Sequence, residues 1–323
     1  MCPKPGWRQR FSAAVSLTRE RELRRADSSS PTSAGLQADV DALFEASSSY
    51  WNDIYRLDDV TSLIVQQRSK LALSWVDRLG LPPEATALEV GCGAGLMALA
   101  LARRGLRVYA TDAVTAMLDL VRTRVAEAGV SRLVEVRKSD VHALDFEDSR
   151  FDLVIALGVI PWLHSPRDAL HEMARVLKPG GALIASANNL ARLHYLCDPK
   201  LSPHLGGARR AVKRALRMRS RRRPGIPDVT LHSCEEFDRL LASACLVKEE
   251  GRTLGFGPFT FLGRGILPQR IGVDLHKRLQ SLADRGVPGI TSRGAQYLVI
   301  ARKERAPEPT ESGGRGTESA SSD

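Results

Sequence analysis

The sequence predicts an α/β fold, a Rossmann-like doubly wound sheet of seven strands, and three observations predict it. From residue 85 onward, short apolar runs alternate with segments of helical period, the pattern of a mainly parallel sheet with helices on both faces. A glycine-rich turn, Gly91-Cys-Gly-Ala-Gly95, carries the first of these runs into the first helix. An acid, Asp112, closes the second run about 20 residues beyond the first glycine, where this architecture places a ribose ligand.

The elements follow in order. Residues 1–38 are rich in Ser, Arg and Pro and read as a disordered basic tail, and residues 305–323 read as a second disordered tail. From Leu36 to Leu79 apolar residues recur at helical spacing up to Pro82-Pro83, so residues 39–84 are expected to be N-terminal cap helices. Residues 85–304 form the main domain. Leu88 and Val90 lie in its first strand, the glycines make the bend, and Leu96-Met-Ala-Leu-Ala-Leu-Ala opens a helix ending near Gly105. Strands are expected from Leu106 to Thr111, Val134 to Arg137, Phe151 to Leu157 and Ala182 to Ala187. Helices are expected at Ala116–Ala128 and Pro166–Leu177, with a turn at Lys178-Pro-Gly-Gly181. An insertion, about residues 190–230, precedes a last core helix at Phe237–Ala244. A second, about residues 255–288, separates strands at Leu246–Thr253 and Gln296–Arg302.

Composition narrows the function classes. The 323 residues are 43% apolar, enough for a sizeable core, yet the longest apolar stretches fall far short of the roughly 18 residues that span a bilayer. Near the N-terminus Lys4, Arg8 and Arg10 stand without an acid, which leaves a transit peptide and a plain basic tail both open. Five scattered cysteines without a C-x-x-C pair suit a reducing cytosol and predict neither disulfides nor a metal site. The formal charge of +10 is local: ten Lys and Arg residues and no acid lie between Asp198 and Asp228. General coating of nucleic acid is therefore not expected.

The turn itself selects the ligand. A dinucleotide fingerprint needs a small third residue at position 96, which is Leu96, and an acid inside the loop would repel a pyrophosphate. Glu89, Gly91, Gly93 and Gly95 instead form an acid followed by three alternating glycines. This motif resembles that of the class I S-adenosylmethionine (SAM)-dependent methyltransferases, and the chain is similar to their methyltransferase type 11 group. SAM carries an ammonium and a sulfonium and no phosphate. Asp112 is expected to take both ribose hydroxyls. The resemblance implies that Asp140 meets the adenine amino group, that Val141 offers its N–H to the ring, and that Met117 packs against adenine. It also puts Leu157 at the cofactor, and Tyr55 and Arg68 of the cap within reach of SAM. Two plainer readings stand beside these: the cap aromatics only pack on the sheet, and Asp140 only caps the turn that follows it.

A looser resemblance, to ubiquinone-biosynthesis O-methyltransferases, covers roughly residues 85–245. It rests on Ala182–Ala191, Thr230-Leu-His-Ser233 and Glu235-Glu-Phe-Asp-Arg-Leu-Leu241. Those enzymes usually carry Glu-His where this chain has Pro161-Trp162, so a quinone-precursor substrate does not carry over. The expected reaction moves a methyl from SAM to an oxygen, less readily a nitrogen, of a small-molecule or lipid-linked acceptor. His232 is the first candidate base and His164 the second, with His194 also weighed; Trp162 and Asn188 are expected at the acceptor. Trp162 serves there as a cation–π wall or as simple packing. His142, His171 and His276 are assigned to solvated or structural faces. Residues 205–223 have a helical pattern with a basic circumference, which suits an anionic membrane surface or a solvated loop. Phe256, Phe259, Phe261 and Leu262 could add apolar contact. The expected location is cytoplasmic, with peripheral attachment at the inner membrane surface if that reading holds. Alternatives are a nucleic-acid methyltransferase using the basic insertion, a dinucleotide oxidoreductase and a non-catalytic SAM-fold adaptor; oligomeric state is open.

Overall fold

The computed structural model describes residues 33–47, 51, 53–208, 211 and 229–305. Two helices, α1 (Ser33–Ala46) and α2 (Val60–Leu79), precede β1 (Thr86–Val90). The core continues as α3 (Leu96–Ala102), β2 (Arg107–Asp112), α4 (Thr115–Glu127), β3 (Val134–Lys138), β4 (Phe151–Ala156), α5 (Pro166–Val176) and β5 (Leu177–Asn188). The first insertion holds α6 (Leu193–Cys197); α7 (Cys234–Ser243) and β6 (Leu246–Leu254) follow it. The second insertion contains a short hairpin, β7 (Thr260–Phe261) and β8 (Arg264–Gly265), and α8 (Gln269–Asp284), before β9 (Gln296–Lys303).

Seven strands form one sheet in the order β3-β2-β1-β4-β5-β9-β6. β1 to β5 pair in parallel, and β9 runs antiparallel between β5 and β6. The strand order reverses at β1 and β4, so the cleft of a doubly wound sheet is expected at their carboxyl ends. Alternation sends Ala87 to one face, with Trp75 of α2, Met97 of α3 and Val121 of α4, and sends Leu88 and Val90 to the other, with Met173 of α5 and Phe237 of α7. With both faces covered, the central strands are apolar throughout, as Leu153–Ala156 and Ala182–Ala185 show.

Two local expectations are refined. The helical pattern from Leu36 to Leu79 breaks at the short 3-10 turn Ile54–Arg56. Asp59 then caps α2, its carboxylate accepting from the N–H groups of Thr61 and Ser62 at 2.9 and 3.1 Å, and Gly80 at φ +60° ends that helix before the prolines. Lys178-Pro-Gly-Gly181 is an irregularity within β5: Phe151 pairs with Leu177 but Leu153 with Ala182, so β5 carries three extra residues there.

A buried carboxylate joins the two insertions. Asp198, just after α6, accepts from Thr260 Oγ1 at 2.5 Å and from the Gly263 N–H at 2.8 Å, holding the β7–β8 hairpin against the first insertion. Most of the basic helix expected over 205–223 lies outside the described residues. Among the described residues, no helix is long and apolar enough to cross a membrane.

Candidate functional site

One cavity of about 680 Å³ follows the carboxyl edge of the sheet. Its wall passes from Asp140 and Val141 after β3, past Asp112 of β2 and the glycine turn after β1, to Leu157 after β4 and Asn188 at the end of β5. Tyr55 and Arg68 of the cap close it from above, together with Phe44 of α1.

The turn after β1 is built by its glycines. Gly91, Gly93 and Gly95 all have positive φ, at 63°, 49° and 77°. A Cβ on Gly91 would lie 2.4 Å from Val159 Cγ2, and one on Gly95 2.8 Å from Val121 Cγ2, so the first keeps β4's loop close and the last lets α3 pack on α4. A Cβ on Gly93 would meet nothing within 4 Å, and Gly93 lines the cavity. Asp112 fixes this loop: its Oδ2 accepts the Gly93 N–H at 2.9 Å and its Oδ1 the Val114 N–H at 3.0 Å. Burial raises the pKa of this carboxyl despite those bonds.

Glu89 is the unusual group. It is buried on the cavity wall, and its Oε2 meets no hydrogen-bond partner. Burial pushes its pKa up to about 8, with the charge of Asp112 adding to the shift. Arg68, also buried and on the wall, donates from Nη1 to Gln296 Oε1 at 3.4 Å, and its Nε has no partner. Burial lowers its pKa. An orphaned carboxyl oxygen and an incompletely satisfied guanidinium in one cavity suit a zwitterion with an ammonium and a carboxylate, which is the methionyl end of SAM.

Of the residues expected at the cofactor, Tyr55, Glu89, Gly91, Gly93, Asp112, Met117, Asp140, Val141 and Leu157 line this cavity. Gly95 does not; its place is at the α3–α4 contact. Asp140 borders the cavity, and its Oδ1 accepts from the His142 N–H at 2.9 Å to cap the following turn. Trp162 and Asn188 line the cavity too, and the Phe44 ring meets Trp162 edge-on at 5.2 Å.

Of the two histidines placed first for catalysis, neither lines the cavity. His164 is exposed after the 3-10 turn Ile160–Trp162 and stacks on His142, ring centroids 3.7 Å apart. His232 belongs to an extended segment bonded to the end of β5: its N–H donates to Asn188 O, its carbonyl accepts from Leu190, and its ring faces Phe237. His194 of α6 is the histidine that does line the cavity, with Nδ1 2.6 Å from Pro258 O. Arg192, also on the wall, went unnoticed in the sequence; its guanidinium lies 3.9 Å from the Tyr195 ring centroid, and only the fold of the insertion reveals that placement.

A doubly wound sheet with an acid-glycine turn, a ribose-type acid on β2 and a cavity across the switch point defines the class I SAM-dependent methyltransferases. Residues 88–185 of this chain match the family described as methyltransferase domain. The ubiquinone biosynthesis O-methyltransferase of Alkalilimnicola ehrlichii is 39% identical over 110 residues, 34% of this chain and 44% of that protein. That of Azotobacter vinelandii is 33% identical over 156 residues, 48% and 65% respectively. A phosphatidylethanolamine N-methyltransferase of Cereibacter sphaeroides is 37% identical over 105 residues, 32% of this chain and 51% of that one. The chain thus spans about half the length of these curated relatives. Among solved structures, the Haloferax volcanii complex between the Trm112 methyltransferase activator and a methyltransferase matches with a TM-score of 0.50 and 16% identity, covering 81% of this chain and 98% of that one, a likeness of fold alone.

Proposed function

We propose that the protein transfers a methyl group from SAM to an oxygen, less readily a nitrogen, of a small-molecule or lipid-linked acceptor. The observation that carries this reading is the continuity of the cavity. Three of its acids, Glu89, Asp112 and Asp140, lie on the β1, β2 and β3 side, while Asn188 ends β5 and Arg192 and His194 lie beyond it. SAM, when bound, supplies a methyl on an electrophilic sulfonium, and the residues present fit it. Asp112 holds the glycine turn and offers carboxylate oxygens to a ribose. Glu89 accepts from an ammonium, and Arg68 donates to a carboxylate. Leu157, Trp162 and Phe44 line the cavity and would exclude water from a bound acceptor, so that positioning and desolvation would supply much of the rate. If the acceptor hydroxyl needs a base, His194 is the histidine on the cavity wall.

The names of the relatives support an oxygen or nitrogen acceptor carried by a lipid-soluble molecule. Pro161-Trp162 argues against direct transfer of the quinone-precursor substrate. We further infer that residues 205–223 attract an anionic membrane surface through their basic run. Incubation with methyl-labelled SAM and separated lipid, soluble and nucleic-acid extracts tests the proposal: label in the lipid or soluble fraction supports it, label in nucleic acid favours the alternative, and no label in any fraction rejects it.

A further inference from the structure

Among the described residues, the exposed large apolar side chains concentrate in two segments of the chain. Seven large ones stand exposed among the described residues, and six belong to the two insertions: Leu196, Leu205, Phe261, Leu262, Ile266 and Ile271. Single exposed apolar residues are ordinary on a soluble surface, whereas grouped ones mark a contact. α6 packs against β7, which brings Leu196 beside the hairpin. The Lys200 side chain runs over Gly263, and Asp198 ties the same segment to Thr260 and Gly263. Ile266 follows the hairpin directly, its N–H donating to Phe259 O at 3.1 Å, and Ile271 lies in the first turn of α8.

The hairpin has two faces. Thr260 and Gly263 line the cavity on the His194 and Leu201 side. Phe261 and Leu262, between them in sequence, are 50% and 52% exposed. The outward apolar cluster therefore backs directly onto the acceptor end of the cavity. Among the described residues its segments carry the cations Lys200, Arg264 and Arg270. In sequence, the first insertion also contains an acid-free run with nine further basic residues. An apolar patch rimmed by positive charge is complementary to an anionic bilayer, whose headgroups attract the rim and whose acyl boundary accepts the apolar tips. A purely cationic loop would be held by charge alone and would not bring the cavity to the depth at which an amphiphile is carried.

We propose that the β7–β8 hairpin, with Leu196, Ile266 and Ile271 around it, inserts into the interface of an anionic membrane and presents the acceptor end of the cavity to a bilayer-borne acceptor. This deepens the reading of a lipid-linked acceptor and rests on it, but the docking is measurable without turnover.

The test is co-sedimentation of the full-length protein with vesicles of phosphatidylcholine, with and without phosphatidylglycerol, at low and high salt. Calorimetric SAM binding and thermal melting are measured in parallel. The parent should bind only the anionic vesicles, less tightly at high salt. Phe261→Ser with Leu262→Ser should weaken that binding by roughly tenfold or more, since each side chain loses its apolar transfer, with SAM affinity and melting unchanged. Ile266→Ser with Ile271→Ser is an independent pair that should act in the same direction. Failure of the parent to bind vesicles, equal binding to phosphatidylcholine alone, or undiminished binding by both double variants would overturn the proposal. A parent that binds vesicles but not SAM would leave the docking intact and reject the cofactor reading instead.

Discussion

If the buried Glu89 receives the ammonium of SAM, cofactor binding must be coupled to a proton. In the free protein this carboxyl titrates near 8, because burial without a partner for Oε2 favours the neutral form. At about pH 7 it is therefore about nine-tenths protonated, while the ammonium needs it ionised. Binding should release close to one proton at that pH, and each unit below the pKa should weaken affinity by about tenfold, or about 1.4 kcal/mol. Between about pH 6 and about pH 7.5 the affinity should rise roughly 20- to 30-fold. Folding stability of the free protein moves the other way. The folded state holds a proton that the unfolded state, titrating near 4.5, has lost, so stability falls as pH rises from there towards 8. Isothermal calorimetry in buffers of different ionisation enthalpy counts the proton directly. Glu89→Gln should bind more weakly and with little pH dependence over the same range. Flat affinity and no proton release in the parent would refute the argument.

Three further outcomes are expected. Asp112→Ala removes the acceptors of the Gly93 and Val114 N–H groups together with those of the ribose, and should weaken SAM binding at least tenfold by calorimetry. Gly95→Ala forces a Cβ to 2.8 Å from Val121 at φ +77°, and should cost about 1–3 kcal/mol of stability in denaturant titration, although Gly95 lines no part of the cavity. His194→Ala should slow methyl transfer at unchanged SAM affinity, whereas His164→Ala and His232→Ala should alter neither; a loss of rate confined to His232→Ala would return that residue to the acceptor site.

The core and the strand ends that border the cavity were legible because local signals fix them. Apolar runs in Leu88–Val90 and Phe151–Ala156, glycines at the bend after β1, and acids at strand ends are each visible in the sequence within a few residues. What escaped was long-range. The cap pattern gave no sign of the break between α1 and α2, because helical spacing continues through Tyr50, Trp51, Ile54 and Tyr55 while Asp59 starts a new helix. Pairing of the His232 backbone with Asn188 and Leu190, which makes that segment a strand-like bridge, leaves no local trace in the sequence. Arg68 and Gln296 lie 228 positions apart, and Asp198 reaches Thr260 across 62; no periodicity records such pairs.

The place of β9 bears on how the protein is made. β5 is a fully apolar inner strand from Ala182 to Ala185, yet its outer edge is paired by Gln296–Lys303, and β6 joins the sheet through that same strand. β5 is complete about 100 residues before β9 begins, an interval of roughly 5–20 s at ordinary elongation rates. Throughout it the nascent sheet presents an open, apolar edge, the surface on which chains pair wrongly with one another. The strand ends of β1 to β3 that line the cavity are made before β9 seals the β5 edge, so the cavity wall and safety from aggregation arrive at different times in synthesis.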